Sequence, residues 1–106
     1  MIFVLDIGNT NTVLGVFQNG ELTNEWRLQT NRHQTEDEFG VLIDSLFKIN
    51  HIQMSDIEGV IISSVVPPIM NALEKMCRKY FGIAPLIVGK DEVASYLNIV
   101  YPQPKE

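Results

Sequence analysis

Phe3-Val4-Leu5-Asp6-Ile7-Gly8-Asn9-Thr10-Asn11-Thr12 is an apolar strand that meets one carboxylate, one glycine and a cluster of amides and hydroxyls. Val13-Leu14-Gly15-Val16-Phe17 follows at once as a second strand. A chain that stops at an acid and turns over a glycine aims backbone N–H groups and hydroxyls at one spot. Gly8 lets the main chain approach closely. Successive N–H groups form an anion-binding concavity, and Asp6 is placed to hold a hydrated Mg²⁺ beside a phosphate. The plain alternative is a polar β-turn with an exposed Asp, since Asn, Asp, Gly and Thr are ordinary turn formers. The segment has no Gly-Lys-Ser/Thr, and no helix pattern follows it. It is therefore neither a Walker A loop nor the three-glycine dinucleotide fingerprint. It joins two strands.

Working outward, residues 2–7 read as a central strand, because Ile2 to Leu5 are continuously apolar, as when both faces are covered. Residues 12–18 form the second strand and Asn19-Gly20 a tight hairpin turn. Residues 21–29 alternate, with Leu22, Asn24, Trp26 and Leu28 on one face and Thr23, Glu25, Arg27 and Gln29 on the other. Thr30 to Gln34 is a polar loop. Thr35-Glu36-Asp37-Glu38 predicts a capping box. Phe39, Leu42, Ile43, Leu46 and Phe47 then continue a helix that ends near Asn50.

Ser55 to Glu58 reads as a turn or short helix, and Gly59 to Ser64 as a buried strand. Pro67-Pro68 opens a second helix with Ile69, Ala72, Leu73, Met76, Cys77 and Tyr80 on one stripe and Gly82 as its C-cap. Pro85 to Val88 is a short strand, Asp91 to Tyr96 a helical turn, and the tail from Tyr101 to Glu106 carries no core pattern and is expected to be mobile. The order is β-β-β-α-β-α-β. The crossover rule places the strand after the first helix parallel to the first strand.

The 106 residues suit one domain, and 45% hydrophobic with 20% charged residues is ordinary for a soluble globular protein. A net charge of −5 argues against a nucleic-acid partner. No apolar run approaches the about 20 residues that cross a membrane, and the N-terminus carries no signal-peptide pattern. Cys77 is the single cysteine, so no internal disulfide forms and a reducing, cytoplasmic location is expected. Its place on an apolar helix stripe marks it as core packing.

The loop resembles the first phosphate motif of type III pantothenate kinases, within the actin, sugar kinase and heat-shock ATPase superfamily, which sets its phosphate loop inside a β-hairpin. Ser63-Ser64-Val65-Val66-Pro67-Pro68 and the tail Asn98-Ile99-Val100-Tyr101-Pro102 resemble the same family, in the same order and spacing. The resemblance implies an α/β, ribonuclease H-like domain with three antiparallel strands first and helices packed on a mixed sheet. It implies ATP-dependent phosphorylation of pantothenate to 4'-phosphopantothenate, the first step of coenzyme A biosynthesis. Mg²⁺ and a monovalent cation, K⁺ or NH₄⁺, are implied as cofactors, and a homodimer as the full-length assembly.

The implied ATP and phosphate-binding set is Asp6, Ile7, Gly8, Asn9, Thr10, Asn11, Thr12 and Val13. Asp6 is also the metal residue, and Asn9 and Thr10 are favoured over Thr12 as ligand contacts. Tyr101 is the implied pantothenate contact, against the plain reading of a loosely packed tail aromatic. The family's Gly-x-Asp-Arg motif, which carries its catalytic aspartate, does not occur in these residues. The chain therefore reads as the N-terminal half of a two-domain kinase, with no catalytic base of its own.

Other readings are open at this level. A non-catalytic accessory protein acting through protein partners uses the same fold, because fold does not fix function. A sugar kinase fits less well, given the short first hairpin and the Ser63 to Pro67 run. Ser63 and Ser64 end a strand where open sheets bind ligands, or they cap the next helix. His33 and His51 read as loop residues, and one Cys with two scattered His makes no zinc pattern. Glu36-Asp37-Glu38 suits a helix N-terminus.

Overall fold

A computed structural model describes residues 1–64 and 66–89. The expected helical turn at 91–96, the tail and Tyr101 lie outside the described residues.

The opening meander forms as its pattern requires. β1 (Ile2–Ile7), β2 (Asn11–Gln18) and β3 (Glu21–Gln29) pair antiparallel in sequence. Asn19 and Gly20 both take positive φ, 54° and 81°, which is the backbone of a type I′ hairpin turn. Helix α1 (Glu36–Ile49) starts at a complete capping box. The Thr35 hydroxyl accepts from the Glu38 N–H at 3.2 Å, and the Glu38 carboxylate accepts from the Thr35 N–H at 2.9 Å.

A 3₁₀ turn (Met54–Asp56) leads into β4 (Gly59–Ser64), which lies parallel to β1. Helix α2 (Pro67–Met76) begins with both prolines in its first turn. β5 (Leu86–Ile87) adds to β4 in parallel, giving the sheet order β3-β2-β1-β4-β5.

One face of the sheet holds the main core. Phe3, Leu5 and Ile7 of β1 meet Phe39, Ile43 and Phe47 of α1 and Ile69, Leu73 and Met76 of α2. Both helices therefore cover the same face. Ile2 and Val4 pack on the opposite face with Phe17, Leu22, Ile61 and Val88.

Leu22 corrects the expected alternation of β3. The pairing shifts between Val16, opposite Asn24, and Phe17, opposite Leu22, so Thr23 is an extra residue. Such a bulge switches the face of everything beyond it. Trp26 and Leu28 pack on the helical core, whereas Leu22 lies on the other side, where Gly15 makes room for it. A Cβ on Gly15 would stand 2.9 Å from Leu22 Cδ1.

The second helix also departs from expectation. Its α-helical part ends at Met76, and Cys77–Phe81 continue as a wider π turn before Gly82 closes it with φ 67°. Cys77 is fully buried, and burial pushes its thiol up to about 12, so it packs rather than reacts. Tyr80 lies against Gly40 of α1, where a Cβ would approach its ring to 2.5 Å.

From there the Tyr80 hydroxyl donates to Asp37 Oδ1 at 2.6 Å, and Lys79 Nζ donates to the same oxygen at 2.7 Å. The bond from Lys79, then that from Tyr80, holds the Asp37 carboxyl below the usual carboxylate range. The bond to Asp37 raises both Lys79 and Tyr80. The depressed acid contributes stability above its ordinary value of 3.8 and loses it as pH falls through its folded pKa. The raised tyrosine contributes below its ordinary value of 10.0 and loses it as pH rises through its folded pKa. The stability difference between the native protein and Tyr80→Phe should be flat from about pH 5 to 9 and shrink below about pH 4. Thermal melts across that range test this, and a difference that grows in acid would dismiss the clamp.

Candidate functional site

The candidate site sits where β1 and β4 end side by side. Ile7 pairs with Ser64 and Asp6 with Ser63, so the turn after β1 and the start of α2 share one edge of the sheet. Ligands collect at such strand ends in open α/β sheets.

The turn itself is short. Gly8 donates its N–H to the Asn11 carbonyl at 2.9 Å. A Cβ on Gly8 would stand 3.0 Å from that carbonyl oxygen, so close approach is what the position requires of glycine. Asn9, Thr10 and Asn11 are exposed.

Carbonyl orientation decides what the loop offers. The Gly8 carbonyl accepts from the Thr30 hydroxyl at 2.7 Å. The Thr10 carbonyl accepts from the Thr30 N–H at 2.8 Å, and the Asn11 carbonyl from Gly8. Three electron-rich oxygens are thus tied to protein donors. Among the described residues, none accepts a hydrogen bond from the Asn9 or Thr10 N–H. Those two donors form an exposed pair of the kind that holds anions.

Side chains reinforce this polarity. Arg32 Nη2 donates to Asn9 Oδ1 at 3.1 Å. A guanidinium only donates, so the Asn9 oxygen faces Arg32 and its NH₂ faces away as a donor. Thr12 behaves differently from its exposed neighbours. It is 5% exposed, and its hydroxyl lies 2.8 Å from that of Thr30.

Asp6 stands on the other face of the sheet, in one cross-strand row with Val13, Arg27 and Ser63. Its side chain is half-buried. The chemistry of this carboxylate is compatible with a hydrated Mg²⁺, which takes one or two carboxylates and keeps several waters. Among the described residues, no three His, Cys, Asp or Glu converge as a protein cage.

Ser64 serves the backbone, its oxygen accepting from the Val66 N–H at 2.9 Å. This favours helix entry over ligand contact for Ser64. Ser63 is buried in the Asp6 row.

The loop-to-β3 contacts through Thr30 and Arg32 are new to the structure. In sequence both sit in a segment readable only as a polar linker. His33 and His51 are exposed loop residues, as expected. A cleft of about 700 Å³ lies at the far end of β1, lined by Met1, Ile2, Phe17, Gly20, Glu58 and Ile61 among others. Its lining runs along β1 as far as Val4, which leaves about 13 Å of extended strand before the Gly8 turn. No helix among the described residues is long and apolar enough to cross a membrane.

Comparison with known proteins fits this geometry. A sequence model of the type III pantothenate kinase family matches residues 2–106. The chain belongs to the type III pantothenate kinase family. A type III pantothenate kinase of Bacillus cytotoxicus is 58% identical over 106 residues, which are 100% of this chain and 40% of that relative. This chain therefore spans less than half the length of that family member.

Solved structures agree on the fold alone. The ethanolamine utilization protein EutJ of Carboxydothermus hydrogenoformans aligns with TM-score 0.60 at 13% identity, over 95% of this chain and 49% of that one. RuvC of Thermus thermophilus aligns with TM-score 0.57 at 16% identity, over 98% of this chain and 80% of that one. The domain is thus an α/β, ribonuclease H-like fold, as the element order of this family member implied.

Proposed function

We propose that this chain is the N-terminal half of an enzyme that transfers a phosphoryl group from ATP to pantothenate, making 4'-phosphopantothenate at the start of coenzyme A synthesis. The observation that carries the reading is the turn at Gly8, whose Gly8, Thr10 and Asn11 carbonyls each accept a protein hydrogen bond while, among the described residues, nothing accepts one from the Asn9 or Thr10 N–H. In a chain of this family, that turn is the natural seat for the β- and γ-phosphates.

Asn9, Thr10 and Asn11 contact the phosphates through N–H, amide and hydroxyl groups. Gly8 gives access, while Ile7, Thr12 and Val13 hold the two strands that carry the loop. Asp6 would hold Mg²⁺ through its water shell, where the ion would supply charge neutralisation for the phosphates. K⁺ or NH₄⁺ belongs to the same reading, as do a homodimer of the full-length protein and a cytoplasmic location. Tyr101, outside the described residues, is assigned to pantothenate. The group that takes the pantothenate hydroxyl proton is assigned to the remainder of the protein.

Two consequences are measurable in one coupled assay of ADP release. The full-length protein should show pantothenate-dependent turnover with Mg-ATP. Residues 1–106 alone should show none above background, and should bind Mg-ATP weakly, because the facing domain's adenine and ribose contacts are missing. Turnover by residues 1–106 would place the base within them. A full-length protein that binds partners but never releases ADP would favour an accessory role.

A further inference from the structure

Thr30 is the first residue past β3, and it holds the Gly8 turn at two points. Its hydroxyl donates to the Gly8 carbonyl at 2.7 Å, and its N–H donates to the Thr10 carbonyl at 2.8 Å. A hydroxyl has one hydrogen. Because that hydrogen goes to Gly8, the contact with Thr12 at 2.8 Å must run from the Thr12 hydroxyl to the Thr30 oxygen. The result is a directed chain, Thr12 to Thr30 to the Gly8 carbonyl, behind the loop and partly buried.

We propose that Thr30 is a positioning residue for nucleotide phosphates: its hydroxyl holds the Gly8 carbonyl and so fixes the Gly8–Asn9 peptide with its Asn9 N–H available to a phosphate. The inference rests on the phosphate-loop reading above. The physical reason is the sign of the loop's dipoles. A peptide turned the other way points carbonyl oxygens at a polyanion and repels it, while the same peptide held in place attracts it.

Thr30 itself need not touch the nucleotide. Its N–H anchor is backbone and survives any side-chain change except proline. The hydroxyl anchor is what sequence variation can remove. Without it, the part-buried Gly8 carbonyl loses its partner, and the peptide after Gly8 is released to rotate toward other donors.

The test is steady-state kinetics of the full-length protein with Thr30→Val and Thr30→Ser. Valine keeps the shape and the N–H but deletes the hydroxyl, and serine keeps the hydroxyl. Thr30→Val should raise the KM for Mg-ATP about tenfold, the scale of one unmade hydrogen bond at a part-buried carbonyl. The KM for pantothenate should stay within about twofold, since its contacts lie elsewhere. Thr30→Ser should restore the ATP KM to within about threefold of the native value.

An unchanged ATP KM in Thr30→Val overturns the proposal. So does equal damage in Thr30→Ser, which would point to packing by the methyl group, or a parallel rise in both KM values. If Thr30→Val does not fold, Thr12→Val removes the hydrogen that aims the Thr30 hydroxyl at Gly8. It should raise the ATP KM about threefold, and no change there also overturns the proposal. Asn9→Ala, run in parallel, separates the two levels. If Asn9→Ala weakens ATP binding and Thr30→Val does not, only the Thr30 assignment fails. If neither alters it, the phosphate-loop reading fails.

Discussion

Asparagine in place of Asp6 is expected to lower turnover of the full-length protein by two to three decades at saturating Mg-ATP, with little change in melting temperature. The side chain sits near the end of β1, half-buried, in a cross-strand row with Val13 and Ser63. Asparagine has nearly the same shape and leaves the backbone pairs of β1 intact. Folding therefore loses little. What disappears is the negative charge that the proposed scheme uses to hold a hydrated Mg²⁺ against the phosphates. Loss of a charge contact made in the transition state costs on the order of 3–4 kcal/mol, which is two to three decades in rate. Saturating nucleotide matters, because it separates lost chemistry from lost binding. Turnover close to native under those conditions would take Asp6 out of the catalytic scheme.

The frame around Asp6 was largely legible in the sequence, because its signals are local. Asn19-Gly20 needs only its own backbone freedom to set the hairpin. Thr35 and Glu38 cap α1 through each other, three residues apart. Gly8 was expected to let the backbone approach a phosphate; what the structure shows at Gly8 is a close approach of the Asn11 carbonyl. The bulge at Thr23 was not legible, since alternation within one strand carries no information about the register of its partner. Leu22 therefore packs on the face opposite to the one its spacing suggested.

The Thr30 anchor was hidden for a related reason. Its partners are carbonyls 20 or more residues away, and a carbonyl has no letter in the sequence. The same holds for Gly40, whose missing Cβ makes sense only with the Tyr80 ring beside it. The backbone of a single turn is written in its own residues. How another element holds that turn is written only in the fold.

Phe47→Ala should be the most destabilising of the single changes considered, at about 3–5 kcal/mol. Phe47 is fully buried, and its ring touches three elements besides its own helix. It meets Phe3 of β1 edge-on at 5.1 Å and 79°, Trp26 of β3 at 5.7 Å, and Phe81 of the π turn at 6.2 Å. Alanine would leave a cavity at the point where α1, the sheet and the end of the second helix converge. The rings around it are anchored on separate strands and helices, so they can close it only in part. A domain of this size is typically stable by about 5–15 kcal/mol. The change would therefore remove a large share of that stability, and at the low end would unfold the domain. Phe47→Leu keeps most of the volume and should cost about 1–1.5 kcal/mol. Urea unfolding of the native protein and both variants reads the two values as shifts in midpoint at constant slope. A Phe47→Ala cost below about 1 kcal/mol would mean that α1 is not the element that locks the sheet. The loop held by β3 would then have to owe its geometry to the Thr30 hydrogen bonds alone.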